Sequence, residues 1–313
     1  MATYRLLVAW WACCLLAEPT RSDVPTEWPA HGAIVSGLAF SPDGSMLASV
    51  GYDGKWKLWK WADGSLVREV VAHDKPIYGF AFRPDGQAIA TAGLDGLIRI
   101  WNLADGSKIA ELTGHQGIVS SVAYLPDASQ IISAGQDKTV RLWTTANHAE
   151  AKKLEGHQGT IYSFAITADG KVAATASQDK VIRLWDVAAG TAMKELGGSE
   201  EAVLAVAFSA DGQTLFSGGM DRKIRLWSVA EGKVLREVPT PDPVFTLVVA
   251  KDSGRWVSGG YSGSVTVWNP ADATPIATDK KAFGAYSLAI SPDGKQIVSG
   301  HENGKIFVRP MPP

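Results

Sequence analysis

Histidine, hydroxyl and carboxylate side chains recur in this chain at spacings that suggest nucleophilic catalysis. Each of four histidines is followed first by a Ser or Thr and then by an Asp, at spacings that are the same every time. These residue types form the triad of many hydrolases, in which the imidazole takes the hydroxyl proton and the carboxylate orients the ring. A Trp follows each Asp at a constant spacing too, so every set has four members. The complete sets are His31, Ser49, Asp53 and Trp59; His73, Thr91, Asp95 and Trp101; His115, Ser133, Asp137 and Trp143; and His157, Thr175, Asp179 and Trp185.

The fourfold recurrence of these sets favours a structural role, since one active site needs only one triad. Each hydrogen bond within a buried set contributes about 1 kcal/mol, and stranding one partner costs about 1 to 3 kcal/mol. The two other histidines, His148 and His301, fall in expected turns and are interpreted as surface residues. The chain also lacks a CxxCH haem motif and a glycine-rich phosphate loop. The sequence therefore predicts no enzyme activity, no catalytic residue, no metal site and no cofactor.

The sets belong to a longer repeat that is marked by regularly spaced tryptophans. The interval between successive tryptophans is nearly constant at about 42 residues, and one further interval reaches Arg309. Each tryptophan closes a short β-like run such as TVRLW, and a turn such as SPDG at 41–44 lies upstream. Four runs per repeat, each too short for a helix, predict an all-β chain. The tryptophans are Trp59, Trp101, Trp143, Trp185, Trp227 and Trp268.

The complete sets resemble the structural tetrad of the WD-repeat family, the G-protein β-subunit-like propellers, over about residues 23–309. This resemblance implies a seven-bladed β-propeller with four antiparallel strands per blade, and it assigns the tetrads to buried hydrogen bonding. The fifth repeat has Ser199 in place of His, and the sixth has Ser262 in place of Asp. The seventh keeps only Ser299. We expect the last three blades to depend more on apolar packing and to be the looser part.

The last repeat ends at Arg309, so no sequence after it can supply an outermost strand. Residues 23–30 precede His31 as a fourth strand precedes the later histidines, and Trp28 stands where Leu112 or Leu154 stands in other repeats. The sequence therefore predicts that residues 23–30 complete the last blade and close the ring. It also predicts a single domain over residues 23–313.

The first residues differ in character from the rest of the chain. Arg5 precedes an uncharged apolar stretch from Leu6 to Ala17, followed by Pro19 and small or polar residues. This pattern is typical of a secretory signal peptide, assigned to residues 1–22, with cleavage after Ala17 or Ser22. As a helix the stretch would span about 18 Å, too short for a hydrocarbon core of about 30 Å. The prediction is an exported protein, periplasmic or secreted, without a transmembrane anchor.

Charge and cysteine content argue against two further classes. The chain has 30 basic and 32 acidic residues, a net charge of −2, and no long run of either sign. A nucleic-acid footprint is therefore absent. Cys13 and Cys14 are the only cysteines and lie in the predicted signal peptide, so the predicted mature chain forms no disulfide. We expect the mature protein to be monomeric by itself.

In the WD-repeat family, partners most often dock on the face around the central channel where the first strands begin. Three positions per repeat project there: the third and fifth residues after the tetrad His position, and the residue before the tetrad Asp position. These 21 positions hold five of the chain's seven tyrosines, and only Glu302 among them is charged at neutral pH. Such an apolar, aromatic surface is typical of the centre of a protein interface. The candidate contact residues are Tyr52, Tyr78, Tyr162, Met220, Phe245, Tyr261 and Tyr286.

The resulting hypothesis is a non-catalytic scaffold that binds a protein or peptide in an exported or envelope complex. The chain is similar to exported, bacterial-type members of the family, which are modules of bacterial envelopes. Two alternatives give the aromatic rings of the candidate contact residues another role. The rings plug the channel mouth, or they stack on a carbohydrate or cell-wall polymer. The third is a propeller enzyme, a hydrolase, lyase or oxidoreductase accessory, which needs carboxylates, histidines or metal ligands around the channel. The sequence places almost none of them there.

Overall fold

The computed structural model describes residues 24–313, and these form 28 β-strands and no α-helix. The strands assemble into seven antiparallel sheets of four strands each, which confirms the predicted all-β, seven-bladed β-propeller. No helix able to cross a bilayer occurs in this part of the chain. The predicted signal peptide, with Cys13, Cys14 and both candidate cleavage sites, lies outside the described residues.

Each of the first six blades is one continuous stretch of four strands. The first three blades are β2 (Val35–Phe40), β3 (Met46–Gly51), β4 (Lys55–Lys60) and β5 (Leu66–Val71); β6 (Ile77–Phe82), β7 (Ala88–Gly93), β8 (Ile98–Asn102) and β9 (Lys108–Leu112); and β10 (Val119–Tyr124), β11 (Gln130–Gly135), β12 (Val140–Thr144) and β13 (Glu150–Leu154).

The fourth to sixth blades repeat this order, and the seventh combines three C-terminal strands with β1. These blades are β14 (Ile161–Ile166), β15 (Val172–Ser177), β16 (Ile182–Asp186) and β17 (Thr191–Leu196); β18 (Val203–Phe208), β19 (Thr214–Gly219), β20 (Lys223–Ser228) and β21 (Val234–Pro239); β22 (Val244–Val249), β23 (Trp256–Gly260), β24 (Ser264–Trp268) and β25 (Pro275–Lys280); and β26 (Ala285–Ile290), β27 (Gln296–His301), β28 (Lys305–Pro310) and β1 (Glu27–Pro29).

The second strand of each blade is the most deeply buried one. In β7 every residue is buried, and its small Ala, Gly and Thr side chains let the adjacent sheets approach closely. The hydrophobic clusters join neighbouring blades: Ala90 and Ile98 of the second blade pack with Val119 and Ile131 of the third. Because each core lies between two sheets, a blade buries its inner strands only in the presence of its neighbours.

The first strands of successive blades are in contact around the whole circle. Strand β2 touches β6 of the second blade and also β26 of the seventh. The ring is therefore closed by packing at its centre as well as by the N-terminal strand at its edge.

The closing strand lies where the sequence placed it. Strand β1 pairs antiparallel with β28, and Trp28 is opposite Ile306. Leu112 is opposite Ile98 in the same way, so Trp28 fills the corresponding apolar place. Trp28 is buried and its ring lies 5.9 Å from that of Trp59. The observed strand, Glu27–Pro29, is shorter than the segment 23–30.

Gly304 shapes the turn that receives the closing segment. Its carbonyl accepts backbone hydrogen bonds from Ala30 at 2.9 Å and from His31 at 3.0 Å. Its φ is +76°, and a Cβ there would lie 2.0 Å from the His31 carbonyl oxygen. A side chain at Gly304 would have to displace the His31 carbonyl, so glycine permits this close approach of the closing segment.

Replacing Trp28 by Ala should lower the free energy of unfolding by about 3 to 5 kcal/mol, because it removes a buried aromatic ring from the closure. Urea denaturation followed by circular dichroism measures the change. Leu235→Ala is the control: this side chain is 60 % exposed on an outer strand, and its loss should cost less than about 0.5 kcal/mol. Equal stability of Trp28→Ala and the unchanged protein would contradict a stabilising role for the closure.

Candidate binding surface

Each complete tetrad forms a continuous chain of hydrogen bonds. In the first blade, the Trp59 indole Nε1 donates to Ser49 Oγ at 2.9 Å, and Ser49 Oγ lies 2.8 Å from His31 Nε2. His31 Nδ1 lies 2.9 Å from the Asp53 carboxylate. A neutral imidazole satisfies the whole chain, because Ser49 then accepts from Trp59 and donates to Nε2, while Nδ1–H donates to Asp53. The tetrad thus links two strands to the loop that precedes the blade.

The same chain recurs in the next three blades. The distances from Nε2 to the hydroxyl are 2.9, 2.8 and 2.7 Å for His73, His115 and His157. No substrate can reach the four hydroxyls in the folded protein, because their residues are fully buried. These residues are Ser49, Thr91, Ser133 and Thr175.

Burial decides the protonation of the tetrads that contain His73 and His157. It lowers the pKa of His73 and His157 below the ordinary imidazole value, although the paired carboxylates act in the opposite direction. Burial by itself would raise the pKa of Asp179, but hydrogen bonds from the Gln158 backbone amide and from His157 lower it to about 2. Arg183 Nη1 lies 3.0 Å from that carboxylate. Neutral imidazoles therefore stand beside ionised, cation-paired carboxylates.

The fifth blade lacks the tetrad histidine but keeps the arginine–aspartate pair that the second to fourth blades also have. Trp227 still donates to Ser217 at 2.8 Å. The Arg225 guanidinium, in a side chain that is 2 % exposed, donates to Asp221 at 2.6 Å and lies 3.5 Å from Ser199 Oγ. Asp221 thus keeps its ion pair with arginine and lacks the hydrogen bond from an imidazole.

The sixth blade takes its carboxylate from a different loop. Trp268 donates to Ser258 at 2.8 Å, as in a complete tetrad. Asp242, in the loop before β22, accepts hydrogen bonds from Ser262 and, at 3.3 Å, from Ser264. The carboxylate lies in the loop before the blade and the hydroxyl in the turn after the second strand, so a hydrogen bond still ties these two loops together.

In the seventh blade, the interpretation of His301 as a surface residue is wrong. His301 is fully buried at the end of β27, with Nε2 2.9 Å from Ser299 Oγ and Nδ1 2.8 Å from the carbonyl oxygen of Phe283. Side chains two apart in a strand share a face, so His301 can take the hydrogen bond to Ser299 that a tetrad histidine makes elsewhere. Arg309 donates to Ser299 at 2.7 Å, where other blades have Trp. His148 lies in the turn between β12 and β13.

The first strands enclose a cavity of about 600 Å³. Its wall combines apolar side chains with serine and threonine hydroxyls, and no residue that lines it is charged. Ser36 Oγ donates to the carbonyl oxygen of Ile77 at 2.6 Å, and Ser287 Oγ donates to that of Val35 at 2.9 Å. These hydroxyls therefore tie neighbouring first strands together. Within residues 24–313, no group of three His, Cys, Asp or Glu side chains is placed to hold a metal ion.

Five of the seven candidate contact residues line this cavity. The rings of Tyr52 and Tyr78 form one pair, with centroids 5.0 Å apart. Burial, followed by the neighbouring Tyr78, raises the pKa of the Tyr52 phenol well above its ordinary value. The Tyr162 ring has no aromatic neighbour among the described residues. The five residues are Tyr52, Tyr78, Tyr162, Phe245 and Tyr286.

A second aromatic group lies on the sixth and seventh blades. The Phe245 ring is 5.1 Å from that of Tyr286 and 5.7 Å from that of Tyr261. Tyr261 is 62 % exposed, and Met220 of the fifth blade is 40 % exposed. Neither Tyr261 nor Met220 lines the cavity. The candidate residues thus form two separate groups of rings with Tyr162 and Met220 apart from them.

Phe283 is a further exposed aromatic residue that the sequence reasoning missed. It lies in the loop before β26 and is 44 % exposed. The His301 imidazole donates to its carbonyl oxygen, which fixes the loop. Phe283 is the second residue after the tetrad His position of the seventh repeat. It is therefore not one of the three positions per repeat that are predicted to project from the binding face. The signal that could have found it is a large apolar residue where the other repeats have Ala, Gly, Lys, Glu or Asp.

The ring of blades and the buried tetrads define a β-propeller of the WD type. The family model described as "WD domain, G-beta repeat" matches six segments of the chain, which together cover more than two thirds of it. The chain therefore belongs to the WD40 repeat family. The segments are 23–60, 64–102, 106–144, 149–186, 190–228 and 276–308. No curated protein matches the chain.

Most of the sixth blade lies in the stretch that the family model leaves unmatched. Its strands β22, β23 and β24 fall between residues 229 and 275. This blade lacks both the tetrad histidine and the tetrad Asp, and a hydrogen bond from Ser262 to Asp242 ties the two loops together. The blade thus keeps the fold with different residues.

Lowering the pH should destabilise the protein in two steps. In the unfolded chain, His titrates at about pH 6.5 and Asp at about pH 3.9. Burial lowers the pKa of His73, His157 and His301 in the folded protein. Below about pH 6.5 the unfolded state therefore binds more protons than the folded state, and the free energy of unfolding decreases. The pKa of Asp179 is also lowered, so a second loss follows below about pH 4. Urea denaturation at a series of pH values measures both steps.

Substitution of a buried tetrad histidine tests this pH dependence. His73→Gln should reduce the slope of unfolding free energy against pH below about pH 6.5, because it removes a group whose pKa is lowered on folding. A free energy that stays constant between about pH 7.5 and about pH 5 would contradict neutral buried imidazoles.

Proposed function

We propose that this protein is a non-catalytic scaffold that binds a protein or peptide at the mouth of its central channel. The observation that carries the proposal is the gathering of aromatic rings there, with Tyr52 against Tyr78 and Phe245 against Tyr261 and Tyr286. Aromatic side chains bury large areas and dominate the energy of protein interfaces. A wall without charge supports the binding of an uncharged, apolar group of the partner.

Membership of the WD40 family supports the same proposal. Propellers of this family are typically non-catalytic scaffolds that bind protein partners. The tetrad hydroxyls, which resemble nucleophiles in sequence, are buried and bonded to Trp and His. Reactive groups at the channel would have to be hydroxyls, since the lining residues carry no imidazole or carboxylate.

We also propose that the protein acts outside the cytoplasm, in an exported or envelope complex. The support is the N-terminal sequence, in which Arg5 precedes the apolar stretch from Leu6 to Ala17. Mass spectrometry of protein recovered from the source cells should find a mature chain that begins at Glu18 or at Asp23. A chain that retains residues 1–17 would contradict export by this route.

The double substitution Tyr162→Ala and Phe245→Ala should weaken capture of the partner at least about tenfold, because hot-spot aromatic rings contribute most of an interface's energy. Unfolding free energy should fall by less than about 2 kcal/mol, since both rings are only partly buried. Pull-down from cells and urea denaturation measure the two quantities. A large loss of stability with unchanged capture would show that the rings plug the channel.

The partner can be identified by crosslinking from the exposed edge of this surface. A photoreactive phenylalanine in place of Tyr261, irradiated in intact cells, should capture a specific protein for mass spectrometry. The same amino acid in place of Leu235 is the control, because the two side chains are 62 % and 60 % exposed. Equal capture from both positions, or binding only to oligosaccharides in a glycan screen, would contradict the proposal.

A further inference from the structure

Four aromatic side chains of the sixth and seventh blades, the exposed Tyr261 and Phe283 and the half-buried Phe245 and Tyr286, are here named the aromatic patch. The geometry points to a proline-rich segment in polyproline II conformation, carrying one basic residue, as the occupant of this patch. The inference rests on the proposed function and specifies the partner of the same surface. Three features carry it: the spacing of the rings, their free hydroxyls and one unpaired carboxylate.

The rings are close enough together to contact a single turn of a polyproline II helix. Phe245 packs against both Tyr261 and Tyr286, with interplanar angles of 78° and 44°. The centroids of Tyr261 and Tyr286 are therefore at most about 11 Å apart, and one turn of polyproline II, three residues at about 3.1 Å each, spans about 9 Å. Proline side chains on one edge of such a helix can pack against neighbouring aromatic rings.

The tyrosine hydroxyls supply the polar contacts that this ligand needs. Among the described residues, neither the Tyr261 nor the Tyr286 hydroxyl has a hydrogen-bond partner. A polyproline II segment forms no internal hydrogen bonds, so its carbonyl groups are available as acceptors. Two hydroxyl donors beside apolar rings thus complement a chain whose prolines donate no hydrogen bond.

Glu302 supplies the only charge at the 21 predicted surface positions. It is exposed, and no cation in the described part of the chain pairs with it. Its carboxylate is close enough to the Tyr286 phenol to contribute, after burial, to raising the pKa of that phenol. A carboxylate at the edge of the rings favours a ligand with an Arg or Lys next to its prolines.

The ring geometry favours this ligand over a carbohydrate. A sugar stacks on a flat, open ring face, whereas Phe245 packs against two rings that are tilted to it by 78° and 44°. Gly284 also lets Tyr286 lie against the backbone, since a Cβ there would be 3.0 Å from Tyr286 Cε2. Phe245 and Tyr286 are therefore half-buried rings and not open platforms.

The test is a fluorescence-polarisation titration of the full mature chain with synthetic decapeptides. The probe contains two Pro-x-x-Pro units and one Arg; its variants replace the prolines by Ala or the Arg by Glu. We expect the proline-to-alanine and the Arg-to-Glu peptides each to bind at least about tenfold more weakly. Tyr261→Ala and Phe283→Ala should weaken binding of the probe by a similar factor, and Leu235→Ala should not change it.

Glu302→Gln tests the charge contact. This variant should bind the Arg peptide and its Arg-to-Gln analogue equally, whereas the unchanged protein should prefer the Arg peptide. The inference is overturned if the alanine peptide binds as tightly as the probe, if Glu302→Gln keeps the preference for Arg, or if oligosaccharides compete for the patch. A crosslinked partner segment at Tyr261 that lacks proline would overturn it while leaving the proposed function intact.

Discussion

The fold depends on one constraint: no blade can bury its second strand without a sheet on either side. The second strands carry small, fully buried residues, and every hydrophobic cluster between them draws side chains from two blades. An open row of seven such sheets would expose a core face at each end. Closing the ring removes both exposed faces, so the short strand Glu27–Pro29 helps to bury the core at both ends of the row of sheets.

The tetrads serve this constraint by fixing the loops that lie between the stacked sheets. Four blades use the same bonded set. The fifth keeps the arginine–aspartate pair of Arg225, the sixth ties its loops together with Asp242, and the seventh bonds Ser299 to His301. Each blade keeps a buried polar group that bonds the loop to the strands. Leaving such a group unpaired would cost more free energy than its hydrogen bond contributes. The residue that supplies the group can therefore change.

The altered tetrads and the exposed rings meet in the last blades. The His301 imidazole donates a hydrogen bond to the carbonyl oxygen of Phe283. Asp242 lies in the loop just before β22, the strand that carries Phe245. In the third and fourth blades, by contrast, the position before the tetrad Asp carries Gln136 and Gln178 instead of an aromatic ring. The paired rings thus lie on the sixth, seventh, first and second blades, to one side of the channel.

The sequence by itself determined the repeat, the four-stranded blades, the closure by Trp28 and the complete tetrads, because each depends on residue types at a fixed period. It did not determine how the irregular blades are completed. His301 was misread as a surface residue because its partner, Ser299, is its near neighbour in the chain, and only the strand geometry places both side chains on one buried face. The grouping of Phe245, Tyr261 and Tyr286 was likewise decided by the tertiary structure, since contacts between neighbouring blades bring together rings that are well separated along the chain.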